Sequence, residues 1–547
     1  LRGTYKKSYF REINKQLIVI GLIFLTAVVI VICIVLNKIS NRLGIPMLLG
    51  FIVLGMVFGS DGILKIQFDN FAFADYICST ALIFIMFYGG FGTNWSEAKP
   101  IAVKAVGLST LGVVLTAGFV GLFCHYVFKI SFLESMLIGS LLASTDAASV
   151  FSILRSKRLN LKYNTASILE IESGSNDPAA YMLTVIVMTL IKGQASGGQI
   201  AYMLFSQIVY GVGIGLIIAF ISSQILKRFK FTTSGFDTIF VVAVAVFSYA
   251  LPTYVGGNGY LSAYIVGIIL GNSKIRNKKT LVPFFDGING LMQMLIFFLL
   301  GLLSYPSKML DVCGIAILIA IFLTFVARPL AVFAIMTPFR SKISQQLLVA
   351  WSGLRGAASI VFSVMAIMNV KAENDIFHIV FFIVLFSILL QGSLLPVVAK
   401  KLNMIDDSGD VMKTFTDYSD EVPIQFIKFT LDGKHGWVGK NLTDIILPPD
   451  TIVVLIIRGE NQIVPDGKTM LEKGDTLVLC AKSSGNIEGV HLSEKRVSGS
   501  DKYVGKTLSE IHKDDLIIMI RRGDRVVIPQ GKTIVRENDV LVINHKE

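Results

Sequence analysis

Four carboxylates sit where an apolar chain should carry none. Asp146, Glu170, Glu172 and Asp177 fall within 32 residues, inside runs long enough to cross a bilayer. An ionised carboxylate in hydrocarbon costs at least about 2.5–3.5 kcal/mol on insertion scales, so such a group marks an ion path by default. The densest stretch is ILEIESGSNDPAAY. On a helix Glu172 and Asn176 are four residues apart, as are Ser173 and Asp177, so each pair shares a face. Pro178 has no N–H and leaves the carbonyl of Gly174 without its helix partner. A hydroxyl, an amide oxygen, a carboxylate and a free carbonyl then converge within a turn. These are hard oxygen ligands, suited to a small monovalent cation. Burial disfavours the charged form of a carboxylate, so Asp177 can also hold a proton. One group that takes either a proton or a cation is the minimum machinery for exchange.

The neighbouring run LLASTDAASVF is interrupted by small and polar residues from Ala143 to Ser149, as a broken helix would be. Irregular backbone at membrane depth is tolerated only where it lines a cavity. Thr145 can offer hydroxyl and carbonyl oxygens there, and Asp146 can neutralise the N-terminus of a half-helix. A second interrupted segment, WSGLRGAAS, carries Arg355. A lone intramembrane arginine needs an acid, and Glu172 is the expected partner, giving a structural ion pair rather than a ligand. The cation ligands expected from side chains are Asp177, Ser173 and Thr145.

Elements able to hold these groups follow from composition. Of 547 residues, 53% are hydrophobic and 16% charged, with a mean hydropathy of +0.67. A soluble chain would be roughly a quarter charged, so the solvent here is lipid. The net charge is +12. Residues 1–400 hold 30 Lys and Arg against 15 Asp and Glu, whereas residues 401–547 hold 20 against 23. The positive excess lies beside the spans, where it sets topology; a nucleic-acid partner is not expected. Five scattered cysteines and six histidines support neither a disulfide framework nor a zinc site.

Apolar runs of spanning length number about thirteen between residues 17 and 400, with the fifth and twelfth interrupted. Loops after odd-numbered spans carry 17 Lys and Arg, and loops after even-numbered spans carry five. That asymmetry places the odd loops and the C-terminus in the cytoplasm. It leaves the basic tail 1–16 outside, the one misfit. The span after that tail is too long for a signal-peptide core.

An acidic linker, 401–422, precedes a repeat. The segment from Trp437 (WVGKNLTDI…) aligns with that from Tyr503 (YVGKTLSEI…), matching Gly439 to Gly505, Gly467 to Gly531 and Asp475 to Asp539. Each copy reads as a short helix, a strand, a turn, a second strand and a closing strand. The two units, 423–487 and 488–547, make a small α+β tail.

STDAA, then ESGSNDP about thirty residues on, then GLRGAAS, resembles the NhaP/NHE branch of the monovalent cation/proton antiporters over nearly all of 17–400. The resemblance implies an all-α polytopic membrane protein of thirteen spans with inverted repeats (an NhaA-like fold), a homodimer in the plasma membrane, and alternating access exchanging Na⁺ or K⁺ for H⁺. It makes Asp177 the transport carboxylate with Asn176 beside it, Ser173 and Thr145 cation contacts, Asp146 the acid of the broken helix and a further member of the cation/proton site, and Glu172 with Arg355 the ion pair. Asn176 in place of a second acid resembles the electroneutral members. One departure stands out: relatives often have an acid before the Gly-Gly pair of the third span, and this chain has Tyr88. The tail repeats resemble the RCK_C (TrkA-C) fold of potassium transport proteins. That association favours K⁺ and implies a small regulatory ligand, with cyclic di-AMP the candidate. No nucleotide-binding GxGxxG half precedes the repeats, so NAD is not expected, and transport itself needs no cofactor.

Rival functions lack their signatures. No TVGYG-like filter suggests a channel, and the compact oxygen cluster shows no pocket for an organic solute of a symporter. No HExxH, GxSxG or GxxxxGK[ST] motif suggests an enzyme.

Overall fold

Long apolar runs become helices because, in lipid, every backbone polar group must be satisfied within its own segment. The computed structural model describes residues 24–406 and 424–545, apart from 37, 39–46, 94, 158, 194–195, 230, 232, 234, 274, 276–277, 434, 448–450, 460, 483–490, 499–500, 502, 511–514, 523–524 and 528–531. The N-terminal tail 1–16 and most of the acidic linker lie outside these residues. The chain divides into two units, Leu1–Asp420 and Glu421–Glu547.

Among the described residues of the first unit, seven helices are long and apolar enough to cross a membrane: Phe71–Gly92, Ala102–Phe128, Gly197–Arg228, Phe236–Tyr254, Thr280–Leu303, Pro306–Met336 and Ile376–Lys401. Five apolar helices are shorter: Phe24–Leu36, Met47–Phe58, Phe132–Leu141, Gly259–Asn272 and Ala357–Asn369. The 27-residue helix Thr165–Ile191 is not among the seven, because its polar cluster dilutes the apolar content. Length and composition therefore mark seven of the described helices as able to cross, and helix is also found in the other apolar runs.

Two interruptions position the site. Helix Phe132–Leu141 stops, residues 144–146 run without helical structure, and a new helix starts at Ala147. Likewise Ile343–Trp351 stops and Ala357–Asn369 starts after the irregular Gly353–Gly356. A π turn at Leu323–Ala327 precedes Arg328-Pro329 in the long helix from Pro306. Pro329 has no N–H to donate, and the wider turn accommodates the loss.

The second unit contains two four-stranded antiparallel sheets of the same design. β1 (Ile424–Thr430), β2 (Thr451–Arg458), β3 (Asn461–Ile463) and β4 (Thr476–Lys482) lie in the order β1-β4-β2-β3. β5 (His491–Arg496), β6 (Asp515–Arg522), β7 (Arg525–Val527) and β8 (Val540–His545) lie in the order β5-β8-β6-β7. The register shifts between Val453 and Leu455 in one sheet, and between Ile517 and Met519 in the other. Each core is a small apolar cluster, around Ile456 and Leu477 in one copy and Ile520 and Leu541 in the other. The segments NLTDI and TLSEI form only single 3-10 turns, Leu442–Asp444 and Leu508–Glu510.

Candidate functional site

Asp177 lies mid-helix in Thr165–Ile191 and is 7% exposed. Its Oδ1 accepts a short hydrogen bond from the Ser144 hydroxyl, delivered by the non-helical stretch 144–146. Asn176, 1% exposed, donates from Nδ2 to Thr145 Oγ1 at 2.5 Å, and its Oδ1 has no partner among the described residues. Ser173 donates to the Thr145 carbonyl at 2.9 Å. The helix and the break are thus stitched together through Thr145, whose hydroxyl and carbonyl oxygens both accept bonds. Pro178 sits inside the helix, and its own carbonyl accepts from Asn258 Nδ2 at 2.8 Å. Gly174 is required by packing: a Cβ there would lie 2.5 Å from the ring of Tyr264.

Asp146 has a different task. Its backbone N–H donates to the Leu354 carbonyl at 2.7 Å, tying one interruption to the other. Its carboxylate caps the helix Ala147–Ser156, accepting from Ser149 N at 3.3 Å and Ser149 Oγ at 2.5 Å. The capping satisfies an orphan donor and places negative charge at the positive end of the helix. Asp146 also acts electrostatically on Asp177. Where the interruptions cross, a Cβ on Gly356 would lie 2.4 Å from Asp146 Cβ, so only glycine fits.

The expected pairing of Glu172 with Arg355 is not what the structure contains. Glu172 Oε1 accepts from Nη2 of Arg328 at 2.5 Å, and both side chains are buried. Arg355 Nη1 instead donates to the carbonyls of Ala143 and Ser144 at 3.1 and 2.7 Å, groups that the broken helix leaves without partners. Arg355 N donates to Ser387 Oγ at 3.1 Å. The physical reason is that an interrupted helix exposes C-terminal carbonyls, which attract a cation, while the acid finds a second arginine. Glu172 and Arg328 both act electrostatically on Arg355, so the three charges form one cluster with a single direct ion pair.

Sequence reasoning missed Arg328 and Ser144. Arg328 was visible as an isolated arginine within the apolar run 311–336. Ser144 had no distinguishing signal among the small polar residues of the break. At the position where an acid was absent, the Tyr88 hydroxyl donates to Asp286 Oδ1 at 2.8 Å, so another helix supplies a carboxylate there.

Comparison with known proteins follows the same division. The profile of the transmembrane sodium/hydrogen exchanger family matches residues 25–401, and that of the TrkA-C domain matches 427–487 and 492–543. The K(+)/H(+) antiporter NhaP of Alkalimonas amylolytica is 36% identical over 479 residues, covering 86% of this chain and 81% of that protein. The K(+)/H(+) antiporter NhaP2 of Shewanella sp. (strain ANA-3) is 31% identical over 458 residues, covering 82% and 79%. The structure of the sodium proton antiporter MjNhaP1 from Methanocaldococcus jannaschii superposes with a TM-score of 0.61 at 23% identity, covering 69% of this chain and 97% of that one. That likeness shows a shared fold.

Proposed function

The chain belongs to the sodium/hydrogen exchanger family, and we propose that it is an antiporter exchanging a monovalent cation for a proton at Asp177. One observation carries the reading: the Asp177 carboxylate is buried where two interrupted helices cross, beside an Asn176 amide oxygen with no partner among the described residues. In the cation-loaded state Asp177 and Asn176 bind directly, with oxygens of Ser173, Thr145 and Ser144 completing the shell. In the proton-loaded state the carboxyl is neutral. Asp146 holds the half-helix, and Glu172, Arg328 and Arg355 hold the crossing.

Charge supports a one-for-one exchange. Asp146, Glu172 and Asp177 set against Arg328 and Arg355 leave one negative charge at the crossing. A single cation or a single proton neutralises it, and an uncompensated buried charge is costly.

Potassium is the favoured cation, because the relatives matched over most of their length are named K(+)/H(+) antiporters and the tail is of the TrkA-C type. Those names describe transporters, and this chain is likewise a transporter, not an enzyme. On the family pattern, about thirteen spans arranged as inverted repeats carry the crossing between two faces of the plasma membrane by an elevator-like alternating-access motion, in a homodimer. The loop charges put the TrkA-C tail in the cytoplasm, where a small ligand, cyclic di-AMP being the candidate, sets the transport rate.

The test is dissipation of ΔpH in vesicles carrying the purified protein, with K⁺, Na⁺ or Li⁺ added in turn. Collapse with K⁺ supports the potassium assignment, and collapse with Na⁺ alone overturns it while leaving exchange intact. Cation flux indifferent to ΔpH would instead indicate a channel.

A further inference from the structure

Beyond Asp177 the same helix carries Tyr181, one turn further along the same face. Its ring meets Tyr260 of helix Gly259–Asn272 edge-on, with centroids 5.0 Å apart. Tyr260 in turn meets Tyr249 of helix Phe236–Tyr254 at 4.8 Å. The Tyr260 hydroxyl is engaged by both Tyr249 and Ser79. Ser79, on helix Phe71–Gly92, donates to Asp75 Oδ1 at 3.4 Å. Asp75 acts electrostatically on Tyr181, Tyr249 and its own neighbour Cys78. Three helices therefore bring hydroxyls to one intramembrane carboxylate that the exchange site does not use. All of these residues lie toward the ends of their helices that adjoin the loops poor in Lys and Arg, the outer side in the topology above.

We propose that Asp75 is the outer terminus of a proton route to Asp177, running through Tyr181, Tyr260 and Ser79, with Tyr249 hydrogen-bonded to Tyr260 at its side. The proposal rests on the antiporter reading. A carboxylate part-way into a membrane helix is costly unless it serves an ion path, and among the described residues this one faces hydroxyls rather than an arginine or lysine. The route suits protons rather than the cation. Tyr260 is 2% exposed, and Phe362 lies against it and Tyr181 at 6.1 and 5.6 Å. A cation would need oxygens replacing its hydration shell at every step, whereas a proton needs only successive hydroxyls.

Asp177 and Tyr181 are four residues apart, ~6 Å along the helix axis, and the proposed route crosses that step through one bridging water. A proton leaving the Asp177 carboxyl adds to the Tyr181 oxygen as that hydroxyl's own proton passes on. Repetition along the line leaves one proton on the Asp75 carboxylate, and each hydroxyl regains the composition it had. Release from Asp75 to water completes the transfer, and the reverse sequence loads Asp177.

The experiment compares two fluxes in vesicles carrying the full-length protein, the wild type or Asp75→Asn, Asp75→Glu or Tyr260→Phe. One is ΔpH-driven exchange with the proton supplied at the outer face. The other is exchange of labelled for unlabelled cation at equal pH, using K⁺ or Na⁺, whichever drives the wild type; it visits Asp177 without moving protons. Asp75→Asn and Tyr260→Phe are expected to slow the first flux by at least about tenfold and to leave the second unchanged, with Asp75→Glu restoring the first. Unaffected proton-driven exchange in both variants overturns the relay, as does an equal fall of both fluxes. A wild type with no proton-coupled flux overturns the antiporter reading itself, whereas a coupled wild type with unaffected variants overturns the relay alone.

Discussion

Arg328 and Glu172 form a direct buried ion pair, Nη2 to Oε1 at 2.5 Å, while Arg355 is held by two backbone carbonyls of the first interrupted helix. The two arginines therefore have separable tasks. Removing one member of a buried pair leaves an uncompensated charge and costs about 3–5 kcal/mol. Glu172→Gln and Arg328→Gln should each lower the unfolding temperature of the purified protein, and the double variant should recover part of the loss. Thermal unfolding in detergent checks this, and fully additive losses would show that the pair is not coupled.

Gly356 tests the crossing itself. A methyl there would overlap Asp146 Cβ at 2.4 Å, and overpacking typically costs about 1–3 kcal/mol. Gly356→Ala should lower stability and nearly abolish exchange. Gly213, with nothing within 4 Å of a built Cβ, is the control, and Gly213→Ala should be neutral in the same thermal and transport assays.

Among the described residues, Ser144 supplies the one hydroxyl that hydrogen-bonds to the Asp177 carboxylate. A hydrogen bond to a charged group contributes about 1.5–3 kcal/mol. Ser144→Ala should weaken apparent cation affinity by roughly ten- to a hundredfold, with folding intact. The concentration dependence of cation-driven ΔpH dissipation reads this out, and an unchanged half-saturating concentration would remove Ser144 from the site.

The tail carries its own pH dependence. Arg458 forks onto Asp475 with two bonds of 2.8 Å, and Arg522 does the same to Asp539. These hydrogen bonds hold both carboxyls below the usual carboxylate range. A depressed carboxyl contributes stability that is present above its unfolded value and lost as pH falls through the folded one, so the loss begins below about pH 4. Protease resistance of the tail in the full-length protein should drop in that window. Asp475→Asn should show the acid-labile behaviour already at neutral pH.

The polar cluster was legible because carboxylates in apolar runs are rare, and a four-residue spacing on a helix needs no tertiary information. Asp177, Asn176 and Ser173 are held as that spacing requires, and both interruptions were visible in small and glycine-rich segments. The partner of Glu172 was not legible, since choosing between Arg328 and Arg355 depends on how three distant helices cross. Ser144 was hidden for a related reason: the non-helical backbone at 144–146 has no period from which to read its facing side chain. In the tail, NLTDI resembles a helix start, but each five-residue segment is too short to sustain more than one tight turn.

The most direct test of the central claim is proton flux in vesicles carrying Asp177→Asn beside the wild type. Asparagine keeps the shape and can still accept from Ser144, but it can neither take up a proton nor supply charge to a cation. The account predicts that K⁺ or Na⁺ collapses ΔpH in the wild type and that the variant, equally folded, is silent with both cations. Cation-driven proton flux surviving in Asp177→Asn would contradict it, because another group would then be carrying the exchange.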